Sequence, residues 1–232
     1  MLVIFDCDGV LVDSEVLSAQ VLSECFQDEG LAVTAHEVVE IYRGKSVPDC
    51  VAIATRELAG LPAWKGLSQD ELTSRTAVFW RNMQSKTLEA CKERLQPIPG
   101  VEAVLQSLQK RGVPFAVGSN GKHEKMAITL DITGLLPYVK GRIFSYEDVA
   151  RGKPAPDLFL YAAKTLGVDP SETLVVEDSL TGIQAALAAG MRPLAFCPPE
   201  VDGSDNVLLP QVHALGVEHF TRMDQLLGLI FR

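Results

Sequence analysis

Short apolar runs alternate along the chain with segments whose apolar positions recur every three or four residues. Branched and aromatic content predicts that the runs are buried strands. They lie at Leu2–Phe5, Pro114–Gly118, Arg142–Ser145, Leu174–Val176 and Pro193–Phe196. The segments with helical periodicity lie at 100–111, 122–131, 157–166 and 180–189, with a shorter one near 222–230. This alternation predicts an α/β fold in which helices cover both faces of a parallel sheet.

The alternation is interrupted once, between the first and second predicted strands. Residues 15–95 contain no convincing strand, but 34–37 and 68–71 both match the capping box that opens helices. A proline-rich segment at 97–100 predicts a stiff return to the sheet. We therefore predict a catalytic core of residues 1–14 plus 96–232, with an inserted α-helical cap domain at 15–95.

Composition and charge narrow the possible partners. The 232 residues are 47% hydrophobic and 22% charged, which is typical of a folded protein and excludes a disordered chain. The net charge of −9 disfavours binding to nucleic acid. It does not exclude a small anionic substrate held by local cations or a metal. We expect no nucleic-acid partner, no membrane and no obligate protein partner.

The cysteines and the first apolar run predict the cellular compartment of the protein. Five scattered cysteines contain no C-x-x-C pair, which favours reduced, buried thiols over disulfides or a zinc site. The first apolar run stops at Asp6 and has no basic residues before it, unlike a signal peptide. These patterns predict a soluble protein of the cytoplasm.

Polar residues that could take part in catalysis or metal binding follow four of the predicted strands. In parallel sheets, ligands bind beyond the carboxyl ends of the strands, so these residues are expected to meet at one edge. In chain order they are Asp6 and Asp8, Ser119 with Asn120 and Gly121, Lys153, and Glu177 with Asp178. Their order and placement predict a single site.

The chemistry of these side chains suits phosphoryl transfer. Asp6 and Asp8 are two residues apart, so both emerge on one side of an extended segment. With Asp178 they make an oxygen-rich pocket suited to Mg²⁺. One carboxylate can attack phosphorus while the other protonates the leaving oxygen. Lys153 and Ser119 can offset or hydrogen-bond the charge on the phosphoryl oxygens.

Each signal also has an ordinary structural interpretation. An isolated D-x-D or Glu177-Asp178 pair often caps a following helix. A Ser-Asn-Gly sequence is commonly a turn, and a lysine before a proline is commonly solvated. Only the combined order of the four favours function.

Four motifs resemble those of the haloacid dehalogenase-like hydrolases. They are Asp6-Cys-Asp8-Gly-Val-Leu-Val-Asp13, Gly118-Ser119-Asn120-Gly121, Gly152-Lys153-Pro154 and Val176-Glu177-Asp178-Ser179. The resemblance spans the chain. It implies a Rossmann-like core with a helical cap inserted after the first strand, dependence on Mg²⁺ and a cytoplasmic location.

The resemblance also implies roles for individual residues. Asp6 would be the nucleophile and Asp8 the general acid and base. Ser119 and Lys153 would bind the transferring phosphoryl group, with Asn120 as a supporting contact.

The metal ligands implied by the resemblance come from both acidic motifs. They would be Asp6, the backbone carbonyl of Asp8, and Asp178. Glu177 is the remaining candidate, since the residue at this place touches the metal in some relatives and is replaced in others.

Several activities occur within such a family. Dehalogenases lack the second aspartate of the first motif, which is Asp8 here. The presence of Asp8 therefore favours phosphoryl transfer over dehalogenation. Mutases similar to β-phosphoglucomutase carry a hinge histidine where this chain has Ser18, and a cap arginine where it has Val47. A phosphatase is therefore the first hypothesis and such a mutase the alternative. A phospho-accepting receiver domain is a remote third, because receivers are much shorter and have no insertion.

The expected substrate is a small sugar or sugar-acid phosphate. The Ser-Asn-Gly segment with nearby Lys125-Met126 resembles bacterial phosphatases that act on compounds like 6-phosphogluconate. Arg43 and Lys45 are candidates to meet the polar end of the substrate, although a solvated basic turn explains them equally well.

Overall fold

The chain divides into two compact units. The computed structural model describes residues 1–42, 47–199 and 205–232. One unit, here called the core unit, comprises Met1–Asp13 and Gln96–Arg232. The other, the helical unit, comprises Ser14–Leu95.

A single parallel sheet forms the centre of the core unit. Within the described ranges it has six strands, in the spatial order β3-β2-β1-β4-β5-β6. They are β1 (Leu2–Phe5), β2 (Phe115–Ser119), β3 (Ile143–Ser145), β4 (Thr173–Glu177), β5 (Arg192–Phe196) and β6 (Glu218–Phe220). The α/β, Rossmann-like class predicted from the sequence is confirmed.

The helices of both units follow in chain order. They are α1 (Ser14–Asp28), α2 (Ala35–Tyr42), α3 (Val47–Ala59), α4 (Gln69–Arg94), α5 (Val101–Lys110), α6 (His123–Ile132), α7 (Leu136–Val139), α8 (Asp157–Thr165), α9 (Leu180–Ala188), α10 (Leu209–Ala214) and α11 (Leu226–Ile230). None of the helices in the described residues is both long and apolar enough to cross a membrane.

Strand register brings the predicted site residues to one level. Phe5, the last residue of β1, pairs with Val117 of β2 and with Val176 of β4. The segments that follow β1, β2 and β4 therefore leave the sheet side by side. The strand order reverses between β1 and β4, and ligands of open α/β sheets bind at such a switch point.

Apolar packing holds this edge in place. All four residues of β1 have no exposed surface, as expected for the central strand of a covered sheet. On one face, Ile4 approaches Phe159 of α8 across Gly118. A Cβ at Gly118 would lie 3.0 Å from Ile4 Cγ2 and 3.2 Å from Phe159, so glycine permits the close packing.

The helical unit uses the predicted capping boxes. Thr34 and Glu37 exchange hydrogen bonds at the start of α2, and Ser68 and Glu71 do so at the start of α4. These reciprocal bonds satisfy backbone N–H groups that the first helical turn leaves without partners.

A buried tryptophan packs within the helical unit. The Trp64 indole N–H donates to Glu29 at 2.7 Å, and the Arg75 guanidinium lies 4.1 Å from the centre of the ring. The ring is 1% exposed. Trp64 therefore has the packing role expected of a large aromatic residue with a satisfied polar tip.

Candidate active site

Three carboxylates converge where β1 and β4 end. Asp6, Glu177 and Asp178 each place an oxygen within 4.8 Å of the others. The approach depends on Gly9, whose φ is +78° and whose missing Cβ would lie 1.9 Å from Asp178 Oδ2. Any larger residue would separate the loop after β1 from Asp178.

Lys153 lies buried between two of these carboxylates. Its Nζ donates to Asp6 Oδ1 at 2.6 Å and also to Glu177 Oε1. Only 3% of the lysine side chain is exposed. A lysine this buried is stable as a cation because two carboxylates surround it.

Burial and charge act in opposite directions on this cluster. Burial raises the pKa of Asp6 to about 7, against the lowering effect of Lys153, and Glu177 adds to the rise. Burial also lowers the pKa of Lys153, but Asp6 and Glu177 outweigh it and hold that pKa above its ordinary value. The lysine is therefore the fixed positive charge of the cluster.

Glu177 is held on both sides of its carboxyl group. One oxygen accepts from Lys153, and the other accepts from the backbone N–H and the hydroxyl of Ser179 at 3.1 and 2.8 Å. A Cβ at Gly182 would lie 1.9 Å from the carboxyl carbon. The first turn of α9 therefore packs directly on this buried acid.

The loop after β2 lies next to the same cluster. Ser119 is 3% exposed, and its hydroxyl accepts from the backbone N–H of Gly121 at 3.1 Å. The hydroxyl of Ser145 donates to the carbonyl of Gly121 at 2.6 Å. These bonds fix the turn that presents Ser119 and its neighbouring N–H groups.

The side chain of Asn120 points to the backbone of Lys153. Asn120 Oδ1 accepts from the Lys153 N–H at 2.9 Å, and Asn120 Nδ2 donates to the Lys153 carbonyl at 3.0 Å. The sequence alone suggested a supporting contact to phosphate at Asn120. That role stays a prediction, and the structure adds a direct tie to the lysine.

Asp8 has a different partner from Asp6. Lys125, in the first turn of α6, donates to both Asp8 oxygens at 2.8 Å. The Asp8 carboxylate also lies near Ser119, since a Cβ at Gly121 would be 3.8 Å from Asp8 Oδ2 and 3.4 Å from Ser119 Oγ. Sequence reasoning noted Lys125 only through a resemblance and assigned it no contact.

The predicted site residues of the core unit therefore lie together. Asp6, Lys153, Glu177 and Asp178 form one cluster, and Asp8, Ser119 and Asn120 border it through the contacts above. Arg43 and Lys45, the candidate substrate contacts, lie outside the described residues.

The donor set suits a hard divalent cation. Asp6, Glu177 and Asp178 supply only carboxylate oxygens, which Mg²⁺ and similar ions prefer over nitrogen or sulfur. Glycine at position 9 brings the loop after β1 against Asp178. Among the described residues, these three are the acids close enough together to share an ion.

Comparisons with known proteins agree with this geometry. The family model of the haloacid dehalogenase-like hydrolases matches residues 1–190. The chain is 30% identical over 224 residues to 6-phosphogluconate phosphatase of Escherichia coli K12, covering 97% of this chain and 91% of that protein. It is 34% identical over 197 residues to hexitol phosphatase A of the same organism, covering 84% and 82%.

A solved structure gives the same result for the fold. A haloacid dehalogenase family hydrolase from Deinococcus radiodurans R1, crystallised with bound phosphate and sodium, aligns with a TM-score of 0.79 and 30% identity. The alignment covers 97% of this chain and 92% of that one.

Proposed function

The chain belongs to the haloacid dehalogenase-like hydrolases, and we propose that it is a Mg²⁺-dependent phosphatase of small sugar or sugar-acid phosphates. It is a phosphoric monoester hydrolase, the class to which its phosphatase relatives belong. One observation carries the proposal. Asp6 lies 2.6 Å from the buried ammonium of Lys153, beside two further carboxylates.

Asp6 is the proposed nucleophile. A carboxylate that attacks phosphorus forms an aspartyl phosphate and expels the alcohol, which divides hydrolysis into two easier steps. Lys153 binds Asp6 in the resting site and is close enough to bind a phosphoryl oxygen as the new bond forms. Ser119 and the N–H groups of its loop donate further hydrogen bonds to the phosphoryl oxygens.

Asp8 is the proposed acid and base. Its protonated carboxyl gives a proton to the departing alkoxide, and the resulting carboxylate then takes a proton from the water that attacks the aspartyl phosphate. Asp8 borders the three-acid cluster without belonging to it, and its carboxylate pairs with Lys125 whereas that of Asp6 pairs with Lys153. The different lysine partners suit a division of work between attack at Asp6 and proton transfer at Asp8.

Asp6, Asp178, Glu177 and the carbonyl of Asp8 are the proposed metal ligands. A bound Mg²⁺ would neutralise carboxylate charge and stabilise negative charge on the phosphoryl group. The observed cluster supports Asp6, Glu177 and Asp178 as side-chain ligands. Glu177 also has Lys153 and Ser179 as partners, so its carboxylate would be shared.

The proposed substrate class follows from the relatives. 6-Phosphogluconate phosphatase and hexitol phosphatase A are named for acyclic polyol or sugar-acid phosphates. Such substrates have alkoxide leaving groups, which need the proton that Asp8 would supply. A 6-phosphogluconate-like compound is therefore the first substrate to test.

A substrate panel tests the proposal. The purified protein is incubated with 6-phosphogluconate, hexitol phosphates and aldose phosphates, with Mg²⁺ or with a chelator, and inorganic phosphate is measured. We expect Mg²⁺-stimulated release from at least one compound. Isomerised sugar phosphate without phosphate release would favour the mutase instead, and no reaction with any compound would refute the proposal.

Asp6→Asn tests the nucleophile, with Asp131→Asn as the matched control. Asp131 is an exposed aspartate of α6. We expect Asp6→Asn to abolish turnover while the melting temperature shows a folded protein, and Asp131→Asn to retain activity. Full turnover by Asp6→Asn would exclude an aspartyl phosphate at this residue.

A further inference from the structure

Asp6 and Asp8 of the first motif each pair with a different lysine. Lys153 binds Asp6 and is buried, whereas Lys125 binds Asp8 and is 43% exposed. The mechanism proposed above uses Lys153 directly and leaves Lys125 without a role. The contact between Lys125 and Asp8 therefore needs its own explanation.

The contact constrains the whole carboxylate. Lys125 Nζ lies 2.8 Å from Oδ1 and 2.8 Å from Oδ2 of Asp8, so a single ammonium spans both oxygens. The two contacts keep the oxygen-bearing end of Asp8 turned towards Lys125, so the ammonium still contacts one oxygen when the other carries the proton.

Local structure fixes the place from which Lys125 reaches. The next residue, Met126, has no exposed surface and would touch a Cβ at Gly121 at 3.3 Å. This packing anchors the first turn of α6 against the loop that follows Ser119. Lys125 is therefore attached to a helical turn that packs against the loop next to the predicted phosphate-binding hydroxyl.

Stability alone explains this pair poorly. The Asp8 side chain is 25% exposed and that of Lys125 is 43% exposed. Ion pairs with this much solvent contact contribute little to folding. The main effect of the contact is therefore on where the Asp8 carboxylate lies.

We propose that Lys125 is a positioning residue that orients Asp8 for proton transfer to the leaving oxygen. This inference rests on the proposed function, in which Asp8 is the acid. Lys125 acts through Asp8 and is not assigned a contact with the phosphoryl group. A general acid works only when its proton is aligned with the departing oxygen, so misorientation slows the reaction without preventing substrate binding.

The choice of leaving group makes the inference testable. An alkoxide must be protonated as it leaves, whereas p-nitrophenolate departs without a proton. Lys125→Met keeps a long side chain but removes the charge. We expect kcat/KM, which reports the steps up to departure of the leaving group, to fall by at least about tenfold on the sugar phosphate that the wild-type enzyme uses best. On p-nitrophenyl phosphate we expect little change in kcat/KM, because this constant does not include the second step, in which Asp8 is the base.

Two further variants separate positioning from a general effect of charge. Lys125→Arg can also contact both carboxylate oxygens, so it should restore much of kcat/KM on the sugar phosphate. Lys122→Met removes a positive charge at the residue preceding α6, where the lysine is exposed and has no ion pair with another described residue. It should leave both substrates near wild-type rates.

A double variant tests whether Lys125 works through Asp8. If it does, adding Lys125→Met to Asp8→Asn should slow the reaction little further. An equal loss of kcat/KM by Lys125→Met on both substrates, or no loss on either, would overturn the inference. Independent losses in the double variant would do the same. A wild-type enzyme that hydrolyses neither substrate would instead refute the proposed function.

Discussion

Asn120 and Lys153 are joined by two hydrogen bonds of opposite direction. The Lys153 N–H donates to Asn120 Oδ1 at 2.9 Å, and Asn120 Nδ2 donates to the Lys153 carbonyl at 3.0 Å. The Asn120 side chain, in the loop after β2, thus holds the backbone from which the Lys153 side chain extends. Because Lys153 Nζ must reach Asp6, an error in its backbone position is transmitted to the site.

Asn120→Ala should therefore lower kcat by roughly tenfold to a hundredfold, through misplacement of Lys153. Gly152→Ala should have a similar effect by another route. A Cβ at Gly152 would lie 2.6 Å from Asn120 Oδ1 and would displace the same amide. Steady-state kinetics on the best substrate of the panel measure both variants.

Gly60→Ala is the control for the glycine substitution. A Cβ there would meet only the Glu57 carbonyl, at an ordinary 3.6 Å. We expect wild-type kcat. Wild-type kcat in Gly152→Ala and Asn120→Ala would show that the two hydrogen bonds do not govern the position of Lys153.

Lys153→Met should destabilise the metal-free protein by about 3–5 kcal/mol near neutral pH, because it leaves Asp6 and Glu177 buried without a cation. Burial already raises the pKa of Asp6 from 3.8 to about 7, and Lys153 opposes that rise. Without the lysine, Asp6 in the folded variant holds its proton to higher pH still. The unfolded chain loses the same proton near pH 4.

The sign of the pH dependence follows from this difference. Between the unfolded and folded pKa values the folded state binds more protons, so its free energy of unfolding falls as pH rises. The loss in the free energy of unfolding caused by Lys153→Met should therefore be smaller at about pH 5 than at about pH 8. Urea unfolding with a chelator measures it, with Lys122→Met as the exposed control. A deficit that grows towards low pH would contradict the assigned charges.

The sequence was sufficient to place the site on the fold. Strand ends are recognisable because apolar runs stop abruptly at polar residues, as at Phe5–Asp6 and Val176–Glu177. Parallel strands then bring those ends to one edge, which the register of Phe5 with Val117 and Val176 confirms. Position in the sheet thus follows from local pattern and one topological rule.

The partners of long side chains were not predictable in the same way. Asn120 could have faced substrate or a neighbouring backbone, and Lys125 could have been solvated. Asn120 contacts Lys153 and Lys125 contacts Asp8, and each contact joins residues more than thirty positions apart in the sequence. No local periodicity encodes such contacts.

Two short elements, β6 and α10, were not predicted from the sequence because their local strand and helix signals are weak. β6 has three residues, and only Phe220 is buried, so it shows no apolar run. Helix α10 has only six residues, Leu209–Ala214, which is too short to show a helical period in the sequence. Tertiary contacts with the edge of the sheet stabilise both elements where local propensity is slight.

Asp178→Asn should weaken metal binding more than it weakens substrate binding. An amide keeps the size of the side chain but removes one of the three negative charges of the cluster. We expect the Mg²⁺ concentration for half-maximal activity to rise by about tenfold or more, with partial recovery of kcat at saturating metal. Activity titrated against Mg²⁺ measures this, with Asp131→Asn for comparison. An unchanged metal requirement would remove Asp178 from the proposed ligands.

Gly182→Ala should destabilise the protein, against the usual effect of this change in a helix. Alanine normally stabilises a helix by roughly 0.5–1 kcal/mol relative to glycine. At Gly182, however, the added Cβ would lie 1.9 Å from the carboxyl carbon of Glu177. That carboxyl group has no exposed surface and is bonded to Lys153 and Ser179, so it cannot move aside without losing partners.

We expect a loss of about 1–3 kcal/mol in the free energy of unfolding, typical of overpacking in a filled interior. Gly228→Ala is the matched control, because Gly228 is also helical and a Cβ there would meet nothing within 4 Å. It should be neutral or stabilising. Urea unfolding of both variants gives the comparison, and stabilisation of Gly182→Ala equal to that of Gly228→Ala would show that α9 does not pack on Glu177. A displaced Glu177 also leaves Lys153 with Asp6 as its remaining carboxylate partner among the described contacts, so Gly182→Ala should lower kcat as well as stability.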